Sequence, residues 1–117
     1  MPHALVVEDD EGLRVFLAAL LVQHGLDVVA AGSGEEALEL LGDRAVALAV
    51  LDVGLPGMSG FDVADRLGET PVIIVTGDPV GAYAKAHTRP GLDYRVLPKP
   101  VSPDVFEHAL DQILAPV

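Results

Sequence analysis

The chain has 117 residues, half of them hydrophobic, enough to bury one core of ordinary size and too few for two. Its 18 acidic and 7 basic side chains leave a formal charge of −11, which repels phosphate backbones and anionic lipid heads and argues against direct nucleic-acid or membrane-surface binding. The absence of cysteine removes disulfides, thiolate metal sites and cysteine nucleophiles. The first apolar run has no basic segment before it and ends in Glu8, Asp9 and Asp10, unlike a signal peptide, and no stretch reaches membrane-spanning length. The expectation is a single soluble, cytoplasmic domain over residues 1–117.

Along the chain the apolar period switches repeatedly. Ala4-Leu5-Val6-Val7 reads as a strand, and Leu13, Phe16, Leu17, Leu20 and Leu21 then recur at helical spacing, closed by Gly25. Val28-Val29-Ala30-Ala31 is a second strand. Ser33 with Glu36 three positions later has the form of a capping box, opening a helix to about Leu41 that Gly42 ends. Ala47 to Val53 is the third apolar run, Gly60, Phe61, Ala64 and Leu67 suggest a third helix, and Val72-Ile73-Ile74-Val75 is a β-branched fourth strand. Asp78-Pro79 can cap and start a fourth helix carrying Val80, Tyr83, Ala84 and His87. Tyr94 to Leu97 makes a fifth strand, and Ser102-Pro103 opens a last helix lined by Phe106, Leu110, Ile113 and Leu114.

Five strands alternating with five helices, each strand an apolar run, predict an α/β fold: a doubly wound five-stranded parallel sheet with helices on both faces. Such sheets bind ligands beyond the carboxyl ends of their strands, beside the point where strand order reverses. The polar residues fall on that edge. Glu8, Asp9 and Asp10 end strand one, Asp52 ends strand three, Thr76 ends strand four and Lys99 follows strand five.

If strands one and three are neighbours, Glu8, Asp9 and Asp52 converge, and each pair repels by roughly 4 kcal/mol at ~4 Å in an effective dielectric of ~20. Three such pairs, roughly 12 kcal/mol as an upper bound, rival the stability of a small domain. Either the carboxyls hold protons at raised pKa, or a hard divalent cation such as Mg²⁺ shares their charge. Lys99 supplies one compensating charge. With a cation in place Asp52 is the candidate nucleophile toward phosphorus, while the Thr76 hydroxyl and Lys99 ammonium can hold phosphoryl oxygens. Asp10 reads as a helix-start residue. His3, His24, His87 and His108 lack ligand spacing and read as structural. The stripe Leu13-Phe16-Leu17-Leu20 reads as core, with exposed positions such as Arg14 left for partner contact.

With these residues the chain resembles the receiver domain of two-component response regulators over essentially its full length. The resemblance rests on Glu8-Asp9-Asp10, Asp52, the following Gly54-Leu55-Pro56-Gly57-Met58-Ser59-Gly60 loop, Thr76-Gly77 and Lys99-Pro100. It implies the flavodoxin-like strand order 2-1-3-4-5, Asp52 as phosphoacceptor, and magnesium held by Asp9, Asp52 and the Gly54 carbonyl, with Glu8 acting through water. It also implies phosphoryl contacts from Thr76 and Lys99, a cis Lys99-Pro100 peptide, and a histidine kinase or histidine phosphotransfer protein as donor. A downstream protein partner is expected on the face formed by helix four, strand five and helix five, through which such domains also pair as homodimers. Such a domain is no turnover enzyme, catalysing only its own phosphorylation and dephosphorylation.

One departure concerns output. Many receivers carry Tyr or Phe three residues before the lysine as a switching ring, and here that position is Val96. Tyr94 shares its face by period-two alternation but lies ~7 Å further from the site. Gly54 and Asp78, two positions after site residues, are expected at the pocket entrance. Lacking the ring, the domain has an alternative reading as a phosphate sink, a relay or a phosphorylation-independent interaction module. A magnesium-dependent phosphatase working through an aspartyl phosphate usually needs a carboxylate two residues after its nucleophile, where this chain has Gly54.

Overall fold

Short β-branched and aliphatic runs, separated by capped helices, give the element order directly. A computed structural model describes residues 2–115. The strands are β1 (His3–Val7), β2 (Asp27–Ala31), β3 (Leu48–Asp52), β4 (Val72–Thr76) and β5 (Tyr94–Pro98). The helices are α1 (Glu11–Gln23), α2 (Gly34–Leu41), α3 (Gly60–Arg66), α4 (Pro79–Ala86) and α5 (Pro103–Leu114). All pairings are parallel and the sheet order is β2-β1-β3-β4-β5, as the resemblance implies. The order reverses between β1 and β3, where Val7 lies in register with Leu51. The next residues, Glu8 and Asp52, therefore emerge side by side.

Alternation along each strand divides the core into two layers. Leu5, Val7, Leu51 and Ile74 face α2, α3 and α4, where Ala37, Phe61 and Ala82 pack on them. Val6, Val50, Ile73 and Val75 face α1 and α5, meeting Leu17, Leu21, Phe106 and Leu110. The central strands β3 and β4 are buried at every position, which is why they read as unbroken apolar runs. Edge strand β2 is only half-buried because one of its sides has no neighbour, and it begins at Asp27, one residue before the predicted start, as β1 does at His3.

Side-chain caps start all five helices: Asp10, Ser33, Ser59, Asp78 and Ser102 each accept a backbone N–H from three residues on. The predicted capping box at Ser33 is only half formed, since the Glu36 carboxylate takes the Gly32 N–H instead of returning to Ser33. The complete box lies at Ser59, with Asp62 in the place where the sequence pattern looks for Glu or Gln. A second correction concerns α1. Leu17, Leu20 and Leu21 are buried, but Phe16 is 37% exposed, because it sits one position off the buried stripe and turns with Val15 toward solvent.

Candidate functional site

The sheet brings Glu8, Asp52 and Lys99 from three strand ends into direct contact. Lys99 follows β5 and extends its ladder by one bond, its N–H donating to the Thr76 carbonyl at 2.8 Å, and the Lys99-Pro100 peptide is cis, as expected. From there its ammonium reaches across β4, with Nζ 3.0 Å from Glu8 Oε1 and 3.1 Å from Asp52 Oδ2. The expected repulsion is thus partly offset by one cation shared between two carboxylates. Glu8 has no exposed surface and Asp52 only 5%.

Asp52 is held at both oxygens: Oδ2 accepts from Lys99, and Oδ1 accepts the Gly54 N–H at 2.9 Å. Asp9 stands exposed at the mouth, so the crowding is less than three equally buried carboxylates would give. Glu8, Asp9 and Asp52 each offer an oxygen, all within 4.8 Å of one another. Glu8 Oε2 is buried with no hydrogen-bond partner among the described residues. Three clustered carboxylates, one of them carrying a buried oxygen without a hydrogen-bond partner, fit a hard divalent cation and its waters.

Burial, reinforced by the negative charge of Asp52, pushes the Glu8 carboxyl above its ordinary value of 4.5 even though Lys99 pulls the other way. Burial works against the charge on Lys99, yet its hydrogen bonds to Glu8 and Asp52 outweigh that and hold it above 10.5. The folded state binds a proton at Glu8 more tightly than the unfolded state, so stability from this group is present below about pH 4.5 and is lost as pH rises through the folded pKa. Denaturation of the metal-free protein from pH 4 to 8 is expected to show a steeper loss in wild type than in Glu8→Gln. Parallel profiles would contradict the assignment.

Thr76 ends β4 and is buried, its hydroxyl accepting the Asp78 N–H at 2.9 Å, which leaves the hydroxyl proton free to donate. Asp78 caps α4 as the Asp78-Pro79 pattern predicts, its carboxylate accepting the Gly81 N–H. Val96 is half-buried and packs with the α4-side core. Tyr94 turns away from the site, its ring edge against Tyr83 and its hydroxyl 3.2 Å from His87 Nδ1. His24 is structural, its Nδ1 on the Leu20 carbonyl.

Three residues have supporting roles that sequence reasoning does not assign. Arg14, read there as an exposed contact position, is half-buried and donates from Nη1 to the Glu8 carbonyl at 2.9 Å. Glu35 on α2 accepts the Met58 N–H, tethering the loop after β3. Gly60 begins α3 directly against the Asp52 carbonyl. Each depends on contacts between segments distant in sequence or on close backbone approach, which periodicity does not register.

The model for the response regulator receiver domain matches residues 4–111. The transcriptional regulatory protein AfsQ1 of Streptomyces coelicolor is 36% identical over 97% of this chain and 52% of its own length. The transcriptional regulatory protein GlrR of Escherichia coli is 34% identical over 96% of this chain and 26% of its own length. This chain therefore spans about half or less of these relatives. The non-phosphorylated HemR receiver domain from Leptospira biflexa superposes with a TM-score of 0.83 at 30% identity, covering 100% of this chain and 97% of that one.

Proposed function

Because this chain belongs to the response regulator receiver domain family, whose role is to accept phosphoryl groups from histidine kinases, we propose that Asp52 is its phosphoacceptor. The observation that carries this reading is the position of Asp52: buried, fixed at both oxygens, and in contact with the one ammonium that also holds Glu8. A carboxylate so placed attacks the phosphorus of a phosphohistidine in line. The new P–O bond forms as the P–N bond breaks, and the departing imidazole takes up a proton.

Asp9, Asp52 and the Gly54 carbonyl are assigned to hold Mg²⁺, with Glu8 acting through water. When bound, the ion neutralises phosphoryl charge and fixes one oxygen of the transferring group. Lys99 lies next to Asp52 and is assigned a second phosphoryl oxygen, moving from a carboxylate toward the new dianion. Thr76 is assigned the third, its hydroxyl donating to phosphate while still accepting from Asp78. The domain acts on itself and not by turnover of other substrates. Its donor is assigned as a histidine kinase or histidine phosphotransfer protein, and its output face as α4, β5 and α5, open to a protein partner or a second copy. No described helix is long and apolar enough to cross a membrane. A cytoplasmic location and a single domain over 1–117 are part of the same proposal.

A second reading, as relay or phosphate sink, rests on Val96. An aliphatic side chain there offers no ring to swing inward, and the nearest aromatic on that face, Tyr94, is engaged by Tyr83 and His87. Both readings require phosphorylation of Asp52. Incubation with Mg²⁺ and a small acyl-phosphate donor is expected to give an acid-stable, base-labile adduct, absent in Asp52→Asn and absent with a chelator. An equal adduct on Asp52→Asn would defeat the assignment.

A further inference from the structure

Among the described residues, one side chain donates to the backbone of the acidic segment 8–10, and it comes from α1. Glu8 ends the β1–β2 ladder, its N–H donating to the Ala31 carbonyl at 3.1 Å. Its carbonyl accepts from Arg14 Nη1 at 2.9 Å. Beyond it, the Asp10 N–H turns back to Glu8 Oε1 at 3.3 Å, and the Asp10 carboxylate caps α1 through Leu13. Asp9, between these anchors, makes no hydrogen bond of its own with a described side chain. Its direction is set by the backbone around it.

Gly32, just past β2, faces the same guanidinium: a Cβ there would lie 3.3 Å from Arg14 Nη1. The planar group therefore occupies the corner between the ends of β1 and β2, where a bulkier residue 32 would press on it. Charge alone does not account for this arrangement. A guanidinium held at the Glu8 carbonyl, close to the acidic segment, would by its charge alone disfavour a divalent cation there.

We infer that Arg14 is a positioning residue for the cation site, holding the Glu8 carbonyl so that Asp9 and Glu8 present their carboxylates toward Asp52. The inference rests on the metal reading above and adds a residue to it. Outer groups that orient metal ligands commonly alter affinity by about ten- to a hundredfold when removed.

The two effects of Arg14 have opposite signs, so magnesium affinity without any phosphodonor separates them. Mg²⁺ is titrated calorimetrically into wild type, Arg14→Met and Arg14→Lys, with the metal-free melting temperature measured in parallel. Positioning predicts about tenfold weaker binding in Arg14→Met and an intermediate loss in Arg14→Lys, which keeps the charge but not the rigid fork. A purely electrostatic role predicts tighter binding in Arg14→Met and unchanged binding in Arg14→Lys, and either result overturns the inference. A purely structural role lowers the melting temperature and leaves affinity at the wild-type value, which also overturns it. If Arg14→Met does not fold, the lysine variant decides alone. A wild-type protein that takes up no Mg²⁺ defeats the metal reading and this inference together, a result distinct from failure in the variants alone.

Discussion

Replacing Lys99 with methionine is expected to destabilise the metal-free protein by about 3 kcal/mol, the low end for stripping one partner from a buried ion pair. The Lys99 side chain is 29% exposed, so water screens part of the charge it leaves behind, whereas Glu8 is wholly enclosed and Asp52 nearly so. Without Lys99 two carboxylates face each other at the end of the β1–β3 pair, and Glu8 Oε1 joins Oε2 in lacking a cationic partner. Adding Glu8→Gln to Lys99→Met should restore most of the loss, because it removes the charge that suffers most. The pH dependence has a fixed sign. Lys99 binds its proton more tightly when folded, so its contribution is complete below about pH 10.5 and fades as pH rises through its higher folded value. Urea titration with a chelator present checks this, and a single-variant loss below about 1 kcal/mol, the surface-pair range, would contradict it.

Gly60→Ala is expected to cost about 3 kcal/mol and to slow phosphorylation as well. A Cβ at Gly60 overlaps the Asp52 carbonyl oxygen and stands 2.9 Å from the Asp52 carbonyl carbon, atoms that cannot swing aside as a flexible side chain can. Either α3 lifts from the sheet, exposing Phe61, or β3 shifts and carries the Asp52 carboxylate away from Lys99 and Gly54. Gly77→Ala is the control, since a Cβ there would meet no atom within 4 Å. Comparable losses in the two variants, by denaturation and by initial rate of adduct formation, would show that backbone approach at α3 does not govern Asp52.

The parts of this molecule that sequence makes legible follow from period and position. Strands β3 and β4 announce themselves because burial on both faces demands apolar residues throughout, and a parallel sheet then forces their carboxyl ends to one edge. Asp52, Thr76 and Lys99 become a constellation for that reason alone. Sequence also shows that the acids need a counter-charge, but not that Lys99 spans both Glu8 and Asp52, since that depends on the length of one extended side chain crossing β4. Nor does spacing separate the buried Glu8 from the exposed Asp9 next to it. Arg14 was least legible: a lone basic residue on a helix reads as surface until the Glu8 carbonyl is found beneath it. Asp78 was legible in its capping role, because an acid one residue before Pro79 is a helix-start signal.

The carboxylate bridged by Lys99 at the end of β3 is the one proposed to carry the phosphoryl group. Acyl phosphates are reduced by borohydride to alcohols, so treating the phosphorylated protein with borohydride and sequencing its peptides by mass spectrometry marks the acceptor permanently. Homoserine at position 52, and at no other carboxylate, is the predicted result. Homoserine at position 9, or 5-hydroxynorvaline at position 8, with residue 52 intact would contradict it.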